Sequence, residues 1–177
     1  MAQQLRGYSL YELLITLAVA TFVIGVGVPE LSEIVARSRQ RVEINALFHA
    51  IYAARKQSIS ARRAVSLCPS HDGQQCTPGT DWSGGWIMFI NNDRDSPPWV
   101  DAGEMILKRH VVSPTVRLTA NRQGFTSRGT WLRATNGTFV ACDTANRVVP
   151  RALVISYTGR PRAALKKANG DLYTCAE

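Results

Sequence analysis

Residues 13–28 form an apolar run of sixteen without a charge, and Thr16 and Thr21 carry its only polar side chains. A threonine hydroxyl can bond a carbonyl one turn back on its own helix, so the run is compatible with lipid. Spanning a bilayer takes about 20 such residues, and the segment reaches that length only by starting near Tyr8 and enclosing Glu12. An acidic side chain costs about 2.5–3.5 kcal/mol at the centre of a membrane helix and less near the interface. Glu12 therefore implies a function and a compensating charge. Two plainer readings compete. A cleaved secretory signal would use Arg6 as its basic flank and Ala18-Val19-Ala20 as its cleavage site. It would then keep only residues 13–17 as its apolar core and leave the rest of the run on the mature chain. A plain signal anchor leaves Glu12 without a purpose.

Gly25, Gly27 and Pro29 predict a kink, or a stretch that can melt, because proline removes a helix hydrogen bond and glycine loosens the turn before it. Beyond it, Leu31, Ile34, Val35, Val42, Ala46, Ala50 and Ala53 recur at three- and four-residue steps. That spacing predicts one apolar face on a helix continuing to about Ser60. After Ala61 the pattern alternates, with strand candidates in 64–68, 85–91, 105–112, 115–120, 131–142, 151–158 and 163–167. Within 131–142, Asn136-Gly137 predicts a type I′ hairpin turn, which also accounts for the Asn-Gly-Thr sequon. Residues 159–162 join the last two strands. The expected fold class is α+β, one long helix whose C-terminal half covers one face of an antiparallel sheet.

Composition narrows the function classes. The 177 residues carry a formal net charge of +8 and are 45% hydrophobic, which suits one domain with an appendage. The charge is uneven: residues 1–104 hold nine Lys/Arg against ten Asp/Glu, and residues 105–177 hold twelve against three. A basic lobe serves solubility, docks on anionic lipid, or meets nucleic acid. Four cysteines behind an export segment imply disulfides, with three connectivities open. We favour Cys68–Cys76, across a short Pro/Gly-rich loop, and Cys142–Cys175, which ties the C-terminal tail to a strand and encloses the basic segment. His71, between Cys68 and Cys76, reads as a surface residue on a disulfide loop rather than a zinc ligand. Asp93 and Asp95 with Arg94 between them read as a solvated turn; hard cations want six or more oxygens, so no metal is expected. His49, His71 and His110 fall on three different elements, and no nucleophile motif or Gly-rich phosphate loop occurs. Neither an enzyme nor a cofactor is expected.

The segment "RGYSLYELL" joins a short basic leader ending in Gly7 to Tyr8, with Glu12 at the fifth place after the glycine and the apolar helix behind it. It resembles the type III signal of type IV pilins and pseudopilins, with Tyr8 where most members have phenylalanine. The resemblance implies that a prepilin peptidase cuts between Gly7 and Tyr8 and methylates the Tyr8 amine. It also implies that Glu12 neutralises the terminal ammonium of a neighbouring pilin during assembly; a paired charge in low dielectric costs far less than a lone one. The expected organisation is then a leader over 1–7, a transmembrane and assembly helix over 8–30, its amphipathic continuation over 31–60 and an antiparallel β lobe over 61–177. The segment "GGWIMFINNDRDSPPWVDAGEMILKRH" resembles the GspH/FimT family of minor pilins and pseudopilins, with Asn91 and Asp93 in the polar turn and Glu104 before a strand. It departs from the family at Ser96-Pro97-Pro98, where a glycine is usual.

The stretch "SYTGRPRAALKK" concentrates the basic charge. Pro161 fixes its own φ and biases Arg160 toward an extended conformation, and Gly159 permits a tight turn. Arg160 and Arg162 carry planar forks that match phosphate oxygens in a bidentate way. Lys166 and Lys167 extend the charge, and Arg147 and Arg151 approach from the preceding strand. Between Asp143 and Asp171 stand six basic residues and no acidic one. The G-R-P-R of Gly159 to Arg162 is similar to the G-R-x-R of FimT-type minor pilins. That likeness implies binding of extracellular double-stranded DNA, without sequence preference, during natural transformation. Related minor pilins that end in a Gly-Arg turn act as structural initiators of the pilus, which is the alternative. Tyr157 is the only aromatic ring nearby in sequence, so stacking on single strands is not favoured. The implied location is the bacterial inner membrane, crossed once with the lobe periplasmic, and then the cell-surface pilus.

Overall fold

The computed structural model describes residues 9–129 and 134–175; the expected cleavage pair Gly7 and Tyr8 and the run 131–133 lie outside them. The chain forms two compact units, Met1–Val35 and Ala36–Glu177. One helix, α1 (Leu10–Ala61), belongs to both. Ser9 caps it: its Oγ accepts the Glu12 backbone N–H at 3.3 Å and its carbonyl accepts that of Leu13 at 3.2 Å. A serine followed three residues later by glutamate is the capping-box pattern.

In the first unit α1 is the one described helix long and apolar enough to cross a membrane. Leu10, Phe22 and Ile24 stand exposed along it. Thr16 donates to the Leu13 carbonyl at 2.8 Å and Thr21 to that of Leu17 at 3.0 Å, which removes the two hydroxyls from the apolar account. The helix assignment is unbroken through Gly25, Gly27 and Pro29, and the Ser32 hydroxyl donates to the Pro29 carbonyl at 2.7 Å.

In the second unit the rest of α1 packs with eight strands: β1 (Ala64–Pro69), β2 (Trp86–Asn91), β3 (Ile106–His110), β4 (Val116–Ala120), β5 (Phe125–Ser127), β6 (Gly137–Asp143), β7 (Arg151–Ile155) and β8 (Pro161–Ala164). They form two antiparallel four-stranded sheets, β3-β2-β1-β5 and β4-β6-β7-β8, where the sequence predicts one. Aromatic rings join the sheets. Phe125 of β5 and Phe139 of β6 lie 4.5 Å apart, centroid to centroid, and Trp82 meets Phe139 edge-on at 4.8 Å. Ile44, Leu47, Ala50, Ile51 and Ala54 of α1 close the same core against Leu67, Leu118, Leu153 and Ile155. Each large side chain so buried stabilises by about 1.5–3 kcal/mol relative to exposure.

Three sequence expectations change here. The buried face of α1 is Ala36, Gln40, Glu43, Ile44, Leu47, Ala50, Ile51, Ala54 and Ser58; of the expected stripe Ala50 lies on it and Ala46 packs against it, whereas Leu31, Ile34, Val35, Val42 and Ala53 are exposed. Two of the three polar members are buried with partners, whereas Gln40 Nε2 has none among the described residues. Glu43 accepts the Ser113 backbone N–H at 3.0 Å and meets His110 Nε2 at 2.7 Å, and Ser58 bonds Ser127 at 2.8 Å. Asn136-Gly137 is not a type I′ turn, which needs positive φ at both residues: neither has it, and Gly137 already pairs with Ile155 inside β6. Finally, β8 begins at Pro161, so Arg162 lies on a strand rather than in the connecting loop. Proline is tolerated at the first residue of an edge strand.

Candidate nucleic-acid interface

The last hairpin is built by its turn. Gly159 N–H donates to the Ser156 carbonyl at 2.8 Å, and Ser156 N–H donates to the Arg160 carbonyl at 3.0 Å. Gly159 carries φ +74°, and a Cβ there would meet the Ala134 methyl at 2.9 Å. This is the pattern of a three-residue hairpin loop with a left-handed glycine, and it admits only glycine without strain. Arg160 N–H is held by Ser156 Oγ at 3.1 Å, and that hydroxyl contacts Thr158 Oγ1 at 3.0 Å. The turn is thus fixed by its own short side chains.

Alternation along β8 sorts the charges. Ile155 opposes Pro161, and both are buried; Val154 opposes Arg162, which is exposed. Arg160 is exposed on the other flank of Pro161. Among the described residues neither guanidinium has a carboxylate partner. Lys166, bridged to Leu172, and Lys167, at the start of the turn closed by Gly170 N–H at 3.1 Å, are exposed as well.

Two other expected members of the cluster stand apart. Arg147 grips Asp143 through Nε at 2.8 Å and Nη2 at 2.7 Å. Those bonds hold the Asp143 carboxyl below the usual range, against the opposing push of burial, and raise the Arg147 guanidinium. The pairing takes Arg147 out of the free positive cluster. Arg151 opposes Ala141 on the core side of its sheet, the face that carries Leu153 and Phe139, whereas Arg162 lies on the far side with Val154 and Thr138.

The structure also assembles residues that the sequence did not single out. A groove on the far side of this sheet brings Lys167 together with Thr119, Thr138 and Tyr173. Arg122, next to the groove's Asn121, is exposed and leans on the Asn136 carbonyl at 3.4 Å. Tyr173 is brought there by the 167–171 turn, which folds it back beside Lys167, and by the cystine Cys142–Cys175, which spans 33 positions of sequence. The second cystine is Cys68–Cys76.

The carboxylates of Asp93, Asp95 and Asp101 lie within 4.8 Å of one another, so the structure adds Asp101 to the pair read from the sequence. The oxygens of two of them are engaged by the loop: Asp95 accepts Asn91 Nδ2 at 2.7 Å and Trp99 N–H at 2.6 Å, and Asp93 accepts Asp95 N–H at 3.3 Å. Burial, with Asp93 and Asp101 adding to it, raises the Asp95 carboxyl above its usual range. His49, His71 and His110 sit on α1, on the Cys68–Cys76 loop and on β3.

Residues 43–159 match the family model described as type II transport protein GspH. No match was found among curated proteins. The fold is similar to that of the type IV minor pilin FimU of Pseudomonas aeruginosa, at 22% identity and TM-score 0.50, covering 75% of this chain and 90% of that one. It is also similar to the minor pseudopilin EpsH from the type 2 secretion system of Vibrio cholerae, at 8% identity and TM-score 0.50, covering 71% and 96%. With two thirds of its length inside one family model, an apolar N-terminal helix and a two-sheet lobe behind it, the chain belongs to the GspH family, the GspH/FimT-type minor pilins and pseudopilins.

Proposed function

We propose that this minor pilin binds extracellular double-stranded DNA through the β7–β8 hairpin and delivers it for uptake in natural transformation. The observation that carries the reading is the pair Arg160 and Arg162: exposed, flanking a buried proline, and free of carboxylates among the described residues. Four such cations with Lys166 and Lys167 repel one another until an anion relieves them, and a pre-formed turn leaves little ordering entropy to lose on contact. Phosphate contacts alone give sequence-blind binding. With Z near four, log K falls against log salt with a slope of about −3.5.

A mobility-shift titration of the full chain in neutral detergent tests this. Arg160→Ala with Arg162→Ala should reduce the slope by about two and remove most affinity; unchanged affinity leaves only the structural-initiator role. Equal binding to anionic vesicles would instead point to a lipid dock. In the same reading, prepilin peptidase cleaves after Gly7, Tyr8 receives the N-methyl group and Glu12 pairs with a neighbour's terminal amine as the subunit leaves the inner membrane for the pilus. Glu12→Ala then blocks incorporation into filaments while DNA affinity persists.

A further inference from the structure

The groove beside the hairpin has its own chemistry. It is an open groove of about 280 Å³ on the far side of the β4-β6-β7-β8 sheet, and Thr119, Asn121, Thr138, Lys167, Tyr173 and Thr174 line it. The lining offers one phenol ring, one ammonium and three hydroxyls, and no carboxylate. Its walls are held in place. Thr138 N–H donates to Asn121 Oδ1 at 2.8 Å, Lys167 N–H donates to the Asp171 carbonyl at 2.7 Å, and the Cys142–Cys175 cystine pins the tail that brings Tyr173. Cross-strand register ties it to the arginines: Thr138 opposes Val154, which opposes Arg162. Thr138 and Arg162 are therefore two strand spacings apart, about 10 Å.

A duplex does not fit a space this small, since its major groove alone is about 12 Å wide. An unpaired strand does, and a ring beside a cation is the arrangement on which single strands stack. We infer that the groove takes the single-stranded end of a DNA molecule whose duplex part lies on Arg160 and Arg162. A base stacks on Tyr173, its phosphate meets Lys167, and the hydroxyls of Thr119, Thr138 and Thr174 bond the sugar and base edges. This rests on the DNA-binding reading above and specifies its substrate: duplex with a frayed or resected end is preferred over blunt duplex.

The test compares full-length protein, in neutral detergent, on a blunt duplex of about 20 base pairs and on the same duplex with a single-stranded tail of about six nucleotides, within the span one such site covers. The tailed probe should bind about tenfold tighter, the scale of one stacked base. Tyr173→Ala should abolish that difference and leave blunt-duplex affinity within about twofold, while Tyr173→Phe keeps it. If Tyr173→Ala fails to fold, Thr119→Leu fills the groove without adding a ring and should have the same effect. Equal affinity for the two probes in the unmodified protein overturns the inference, as does a full tail preference in either groove variant. The two readings fail separately. Blunt-duplex affinity that is insensitive to Arg160→Ala with Arg162→Ala sinks the DNA reading, whereas arginine-dependent binding with no tail preference sinks only the groove.

Discussion

Arg147→Ala should separate stability from DNA binding. Asp143 is 2% exposed, and Arg147 supplies two side-chain hydrogen bonds to it at 2.7 and 2.8 Å. Truncation strands a carboxylate that keeps only backbone donors, one of them Arg147 N–H at 3.1 Å. A hydrogen bond to a charged group contributes about 1.5–3 kcal/mol, and the open side of the arginine, 34% exposed, argues for discounting a second full bond. The loss should be about 2–3 kcal/mol, or a Tm lower by about 5–10 °C for a protein of this size. The effect has a pH signature. Asp143 titrates lower folded than unfolded, so the pair's contribution is complete above the unfolded value of about 3.9 and disappears as pH falls through the folded one. Thermal melts of wild type and variant should differ at pH 7 and converge in strong acid. DNA affinity should stay within about twofold, because this guanidinium is already engaged. A variant that melts like wild type but loses DNA as Arg160→Ala does would refute the reasoning.

Three further outcomes follow from the geometry. Gly159→Ala meets both a left-handed φ and the Ala134 methyl, and should cost about 1–2 kcal/mol in urea unfolding; an unchanged midpoint would show that the turn relaxes freely. Removing Cys142–Cys175 by paired serine substitution should cost about 3–4 kcal/mol for its 33-residue separation, against about 2.5 for the 8-residue Cys68–Cys76; a reversed order in calorimetry would contradict the loop-entropy account. Glu43→Ala strands the Ser113 N–H and should lower stability by about 2–3 kcal/mol, whereas Glu43→Gln keeps an acceptor and should recover most of it. Equal losses in chemical denaturation would show that charge, not acceptance, matters there.

The apolar N-terminal helix was legible because an uninterrupted apolar run has few physical explanations, and most strands were legible from alternation. The helix face was not. Hydrophobicity marked Leu31 and Val42, yet the lobe buries Gln40, Glu43 and Ser58. Local pattern cannot announce that Ser127 and Ser113, some seventy residues away, satisfy two of them. Three-residue β5 is too short for a period to register. Asn136-Gly137 carries ideal turn chemistry, but Gly137 is recruited into β6, where its pairing with Ile155 outweighs local propensity. In the basic segment the charges were countable but their faces were not. Whether Arg147 is spent on Asp143, or Arg151 turned toward the core, depends on register and on one buried carboxylate. Tyr173 is folded back beside Lys167 by the 167–171 turn, and its tail is tied to β6 by a long-range cystine.

A last consequence concerns hairpin length. Pro161 faces inward and Arg162 outward only because they are consecutive on β8. Side chains alternate with a period of two, so losing or gaining a single residue between Gly159 and Ala164 would reverse every side from there onward. An arginine would be driven under the sheet and a proline left in solvent, with composition almost unchanged. The positive surface is written in the parity of a residue count as much as in the residues themselves.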